Sequence, residues 1–121
     1  MPLAIDGDNL LGTWPGRNRT DADKDALAHE VDVLRREEKQ RVILVFDGPP
    51  PPGLSHGPDV HFSGTGRKAD ALILALLREA SDESGWIVVT NDRSLADRCR
   101  GLGARIEATR DFRERLLARR A

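Results

Sequence analysis

The sequence predicts an α/β fold built on a parallel sheet, and two observations carry that prediction. Short apolar runs of strand length alternate along the chain with stretches of helical periodicity, the pattern expected when helices carry the chain from each strand to the next. Three of those runs end in aspartate: Leu3-Ala4-Ile5 leads into Asp6, Val42-Ile43-Leu44-Val45-Phe46 into Asp47, and Ile87-Val88-Val89-Thr90-Asn91 into Asp92. Ligands of open parallel sheets bind at the carboxyl ends of the strands, so these tips are the first candidates for chemistry.

The elements follow in order. After the first strand, residues 7 to 20 contain Gly7, Gly12, Pro15, Gly16 and Asn18 and are expected to form a loop around Trp14. A helix is predicted from about Asp21 to Lys39. Ala26, Leu27, Val31 and Leu34 recur there at helical spacing, with Asp21, Asp23 and Asp25 at its start and Arg35, Arg36 and Lys39 at its end, as the helix dipole favours. The second strand runs from Arg41 to Phe46. Pro49 to Pro52 cannot enter a sheet interior and stiffen a surface loop.

Val60-His61-Phe62 reads as a short edge strand, and Gly64 and Gly66 mark a turn. A mostly buried helix is predicted from about Lys68 to Ala80. Ala69, Leu72, Ile73, Leu76 and Leu77 lie on one face, Ala71, Leu74 and Ala75 widen it, and Asp70 falls in the first turn. The strand from Trp86 to Thr90 precedes a helix from about Arg93 to Leu102, which Gly101 and Gly103 stop. Ala104-Arg105-Ile106 is a last short strand, and residues 110 to 119 form an amphipathic helix with Phe112, Leu116 and Leu117 inward.

Composition bounds the function. The 121 residues suit one domain, large enough to bury roughly 65% of the surface its unfolded chain exposes. The single Cys99 excludes an internal disulfide, and His29, His56 and His61 lack zinc-ligand spacing. No signal peptide or membrane-length apolar run is visible, so a cytoplasmic chain without membrane attachment is expected. Lys plus Arg total 19 against 20 Asp plus Glu, so overall charge announces no nucleic-acid partner. The distribution says more: Arg17 and Arg19, and Arg67 and Lys68, flank the acidic segments.

Four motifs in sequence, Ile5-Asp6-Gly7-Asp8-Asn9-Leu10, Val45-Phe46-Asp47-Gly48, Lys68-Ala69-Asp70 and Val89-Thr90-Asn91-Asp92-Arg93-Ser94-Leu95, resemble those of the YacP-like NYN family of PIN-like ribonucleases. The resemblance covers nearly the whole chain. It implies a three-layer domain with a parallel sheet in the order 3-2-1-4-5, flanked by helices. It also implies a metal-dependent endoribonuclease acting on single-stranded RNA, with ribosome-associated messenger RNA among its targets. Asp6, Asp70 and Asp92 would hold Mg²⁺ or Mn²⁺, with Asn9 and Asp47 shaping the pocket. Asp8 and Asp97 are further candidate ligands, and Arg67, Lys68 and Arg93, with Arg17 and Arg19 behind them, are the candidate RNA contacts. Two residues depart from the pattern. Asp8 stands where relatives more often carry an aromatic or neutral residue, and Ala71 stands where many carry a second acid.

The residue types suit the chemistry. Two carboxylates about 4 Å apart repel by about 4 kcal/mol at an effective dielectric near 20, so an acidic cluster calls for a counter-charge. An all-oxygen donor set selects Mg²⁺ or Mn²⁺ over zinc. Each acid also has a bland reading: Asp92 and Asp70 suit helix N-termini, and Asp47-Gly48 suits a turn. Trp14 and Trp86 read as packing residues, with base stacking as the alternative. Two other functions compete. One is a PIN-like RNA- or ribosome-binding module that has lost cleavage. The other is a haloacid dehalogenase-type phosphatase using Asp6 as nucleophile, Asp8 as acid, Lys68 as its lysine, and Asp92 and Asp97 toward metal.

Overall fold

The computed structural model describes residues 2–52, 59–79 and 85–119. Strands β1 (Leu3–Asp6), β2 (Val42–Phe46), β3 (Val60–Phe62), β4 (Ile87–Val89) and β5 (Arg105–Glu107) form one sheet. Its order is β3-β2-β1-β4-β5, and every pairing is parallel. The helices are α1 (Gly7–Gly12), α2 (Asp21–Glu38), α3 (Ala69–Glu79), α4 (Arg93–Gly101) and α5 (Thr109–Ala118). The predicted sheet order and strand assignments hold, with ends differing by a residue or two. His56 lies outside the described residues, as does the last predicted residue of the third helix, Ala80.

Because side chains alternate across a strand, β2 feeds two cores. Val42, Leu44 and Phe46 join Leu3 and Ile5 against α1, α2 and α5, while Ile43 and Val45 join Ala4 and Val88 against α3 and α4. That division is the three-layer arrangement. The central strand β1 is buried along its whole length, Asp6 included. Leu3 pairs with both Val42 and Ile87, so the carboxyl ends of β2, β1 and β4 finish nearly level. The acids that follow them therefore emerge on one rim.

Sequence signals account for the helix ends. The Thr20 hydroxyl accepts from the Asp23 N–H at 3.2 Å, and Lys39 closes α2 in the left-handed conformation, φ 50°. Four expectations need correction, one of them Ala71, which was expected to widen the buried face of α3 and is exposed. Residues 7 to 12 form helix α1 where a loop was predicted, because Leu10 and Leu11 are fully buried and the turn is closed by Thr13 N–H donating to the Asn9 and Leu10 carbonyls. Ala26 faces solvent while Ala28 takes the inward place on α2, and Leu117 remains 42% exposed. In both helices the buried stripe is set by the neighbouring Leu27, Val31, Phe112 and Leu116, and those residues fall just past it.

Gly7 reads as a helix breaker in the sequence, yet its use here is close approach. A Cβ at this position would lie 2.5 Å and 2.7 Å from two ring atoms of Phe46 and 3.0 Å from the Val45 carbonyl oxygen. Gly7→Ala is therefore expected to destabilise the protein by roughly 1–3 kcal/mol through overpacking, despite alanine's better helix propensity. A urea midpoint equal to or above wild type would refute this.

Candidate active site

Asp6 sits at the end of the central strand, 8% exposed. The Thr90 hydroxyl, one residue beyond β4, donates to its Oδ2 at 3.0 Å. Burial pushes the Asp6 carboxyl up to about 6; the Thr90 hydrogen bond and the Asn9 amide pull the other way, and the negative charges of Asp47 and Asp8 add to the rise. Asp6 forms no ion pair with a Lys, Arg or His side chain among the described residues. The deepest acid of the rim thus lacks a counter-charge among the described residues.

Asn9 organises the side toward β4. Its Oδ1 accepts from the Asn91 N–H at 2.7 Å and lies 3.5 Å from the Thr90 hydroxyl. The Asn91 side chain in turn accepts from the Thr109 N–H at 3.0 Å, and the Thr109 and Thr13 hydroxyls meet at 2.8 Å. This chain of polar contacts locks α1, the end of β4 and the start of α5 together. With its oxygen so occupied, the Asn9 amide presents its NH₂ donors elsewhere.

Asp47 and Asp8 organise the side toward β2. Asp8 Oδ2 accepts from the Asp47 N–H at 2.6 Å, and Asp8 Oδ1 faces Lys24 Nζ at 3.7 Å. Asp47 Oδ1 accepts from the Ala69 N–H at 2.6 Å, which fastens the start of α3 to the end of β2. Ser63 reinforces the same junction, accepting from the Gly48 N–H at 2.9 Å and donating to the Arg67 carbonyl at 2.6 Å. Arg67 and Lys68 are held exposed beside it.

Asp70 and Asp92 mark the starts of α3 and α4 on this rim. Asp70 Oδ1 accepts from the Ala71 N–H at 2.8 Å, and Asp92 Oδ1 caps α4 by accepting from the Leu95 N–H at 3.1 Å. The capping reading of Asp92 is therefore a real contact, Asp70 holds the following amide inside the first turn of α3, and each still leaves a second carboxylate oxygen.

The structure thus gathers Asp6, Asp8, Asn9 and Asp47, with Asp70, Asp92 and Arg93 on the surrounding rim. Other candidates point elsewhere. Asp97 pairs with Arg100 at 3.2 Å on the exposed side of α4. Arg17 packs over the Trp14 ring at 4.0 Å and pairs with Glu30 at 2.6 Å, while Arg19 donates to the Asp8 carbonyl at 3.0 Å. Trp14 and Trp86 are both buried, as packing residues.

Sequence reasoning missed Thr90 and Lys24. Thr90 is the first polar residue past an apolar strand, and Lys24 lies on the α2 stripe that continues through Leu27, Ala28 and Val31, where a lone lysine signals a buried partner.

A divalent ion fits this rim by donor type and by charge. Every acid is an oxygen donor, Asp6 is buried without a counter-charge, and Mg²⁺ needs only one or two carboxylates when water and phosphate complete its shell. Among the described residues, no three acidic, histidine or cysteine side chains already converge as a closed metal cage.

A parallel sheet in the order 3-2-1-4-5 with acids along its carboxyl rim is the PIN-like, nuclease-type architecture. The chain belongs to the YacP-like NYN domain family, whose model matches residues 3–121. Among solved structures it is similar to Rae1 (YacP) from Bacillus subtilis: 22% identity, TM-score 0.81, covering 98% of this chain and 74% of that one. A mutant form of Rae1 gives 24% identity and a TM-score of 0.82 over 98% and 75% of the two chains. At this identity the likeness shows the fold. No curated protein sequence matches significantly. No helix among the described residues is long and apolar enough to cross a membrane.

The raised carboxyl of Asp6 has a consequence for stability. The native chain binds this proton more tightly than the unfolded chain, so between about pH 4 and 6 stability falls as pH rises. In chelator, Asp6→Asn is expected to be more stable than wild type above pH 6, by at most about 3 kcal/mol, with the advantage vanishing below about pH 4. Thermal melts across that range read this directly, and a wild type that equals or exceeds the variant at pH 7 would contradict it.

Proposed function

We propose that this protein is a metal-dependent endoribonuclease that hydrolyses phosphodiesters of single-stranded RNA. The observation that carries the reading is the buried Asp6 carboxylate, uncompensated at the centre of an acidic rim in a nuclease-type fold. Mg²⁺ or Mn²⁺ would be held by Asp6 with Asp70 and Asp92, and Asp47 offers its second oxygen. A bound ion of this kind supplies Lewis acidity toward a phosphoryl oxygen and a water nucleophilic near neutral pH.

The protein's own groups do the rest. Thr90 orients the Asp6 carboxylate through its hydroxyl. Asn9, its oxygen fixed by Asn91, offers its NH₂ to a phosphate oxygen or a water. Arg67, Lys68 and Arg93 are exposed around the rim and would hold the backbone, a contact that sets register without reading sequence. Asp8 serves as an architectural acid, its oxygens turned to the Asp47 amide and Lys24. That placement also removes it as the proton donor that a haloacid dehalogenase-type phosphatase would need. The family resemblance makes messenger RNA, in ribosome-associated form, the substrate to test first.

One observation favours a second reading, an RNA- or ribosome-binding module without cleavage. Asp8, Asp47, Asp70 and Asp92 each already hold a backbone amide, and no closed cage stands among the described residues.

Incubation of single-stranded RNA with wild type and Asp6→Asn, in Mn²⁺, Mg²⁺ or chelator, separates the two. Cleavage by wild type only with metal, reduced about a hundredfold or more in the variant, is the expected result. Metal-independent RNA binding with no cleavage in any condition would establish the binding module instead.

A further inference from the structure

Beyond the acidic rim lies a cavity of about 600 Å³ over the carboxyl ends of β4 and β5. One wall is a single face of α4, where Arg93, Asp97 and Arg100 recur at helical spacing; the opposite wall includes Ile106 and Asp111. Thr90 and Asn91 are among its lining residues, so it reaches the residue that hydrogen-bonds Asp6. It opens at the carboxyl end of the sheet, one strand beyond the switch point between β1 and β4 where open parallel sheets bind ligands, and its volume falls within the range of small-molecule sites.

The walls carry two guanidiniums and two carboxylates and no aromatic ring, so a base held here is recognised through its edges and not by stacking on a ring. Arg93 and Asp111 make no hydrogen bond or ion pair among the described residues, and Arg100 and Asp97 meet at 3.2 Å on the surface, where such pairs exchange readily with a ligand. Guanine matches this mixture. Its O6 and N7 give an arginine a two-acceptor edge, and its N1–H and N2–H₂ give a carboxylate a two-donor edge. The remaining RNA bases offer at most one of these.

We propose that this cavity is a nucleotide subsite that takes a guanosine flanking the scissile phosphate, with Arg100 on the acceptor edge, Asp97 or Asp111 on the donor edge, and Arg93 at the mouth on the backbone phosphate. The inference rests on the ribonuclease reading for the strand that delivers the nucleotide. Guanine recognition itself is independent of cleavage.

The test is an NMR titration of the full chain in chelator with each of the four nucleoside 5′-monophosphates. GMP is expected to shift the backbone amides of Ala96 and Ala108 saturably and to bind roughly fivefold or more tightly than AMP, CMP or UMP. The double variant Asp97→Asn with Asp111→Asn, both exposed positions, is expected to lose that preference. Equal affinity for the four nucleotides, a GMP preference that survives in the double variant, or shifts that leave these amides unmoved would overturn the proposal. If GMP binds as stated while RNA stays intact with every metal, the ribonuclease reading fails and the subsite stands. If RNA is cleaved but these amides do not respond to GMP, the subsite alone fails.

Discussion

A carboxylate buried at the end of the central strand is costly unless something answers its charge, and the polar architecture of this protein is arranged around that constraint. Asp6 has only neutral donors, the Thr90 hydroxyl and the Asn9 backbone N–H, and two acidic neighbours that make its charge more costly. A fold selected for stability alone would place an apolar or amide side chain here. The acid is instead supported by a chain of contacts, Thr90 to Asn9 to Asn91 to Thr109, that holds three elements in fixed relation to it. On the reading proposed above, a carboxylate supported in this way would suit a bound cation.

The second acidic group is arranged by a different logic. Asp8 and Asp47 are neighbours of Asp6, yet each is put to structural use. Asp8 accepts the Asp47 amide and faces Lys24, and Asp47 ties α3 to the end of β2. Lys24 reaches this position from the buried stripe of α2 and also lies 5.5 Å from the centre of the Phe46 ring, so its charge is held against an aromatic face beside the acid. The departure at Asp8 thus comes with a local partner. Its charge is answered by α2, which leaves the demand for a counter-ion concentrated on Asp6.

The fold was legible in the sequence wherever burial enforced periodicity. The uniformly apolar β2 and the Ile87-Val88-Val89 run reported strands buried on both faces, and the acids and bases at opposite ends of α2 reported its direction. The sheet order came through the resemblance, since neither alternation nor strand length orders parallel strands. Helix α1 was hidden by Gly7, whose meaning lies in a contact with Phe46 thirty-nine residues away that no local pattern contains. In the site, the tip acids were visible because polar residues stood at the ends of apolar runs. Their division of labour was not. Whether Asp8 meets metal or lysine depends on which turn of α2 crosses it, a tertiary fact.

The rim acids also show why capping and ligation need not compete. A carboxylate has two oxygens and about four lone pairs, and an N-terminal cap takes one of them. Asp92 gives Oδ1 to the Leu95 amide, and Asp70 gives Oδ1 to the Ala71 amide. The amide that holds the first oxygen restrains the side chain and leaves the second oxygen outside that bond, and a carboxylate at a helix N-terminus is favourably placed in the field of the helix dipole. On the metal-dependent reading proposed above, the hydrogen bond that restrains such an aspartate would also lower the entropy lost when an ion is bound.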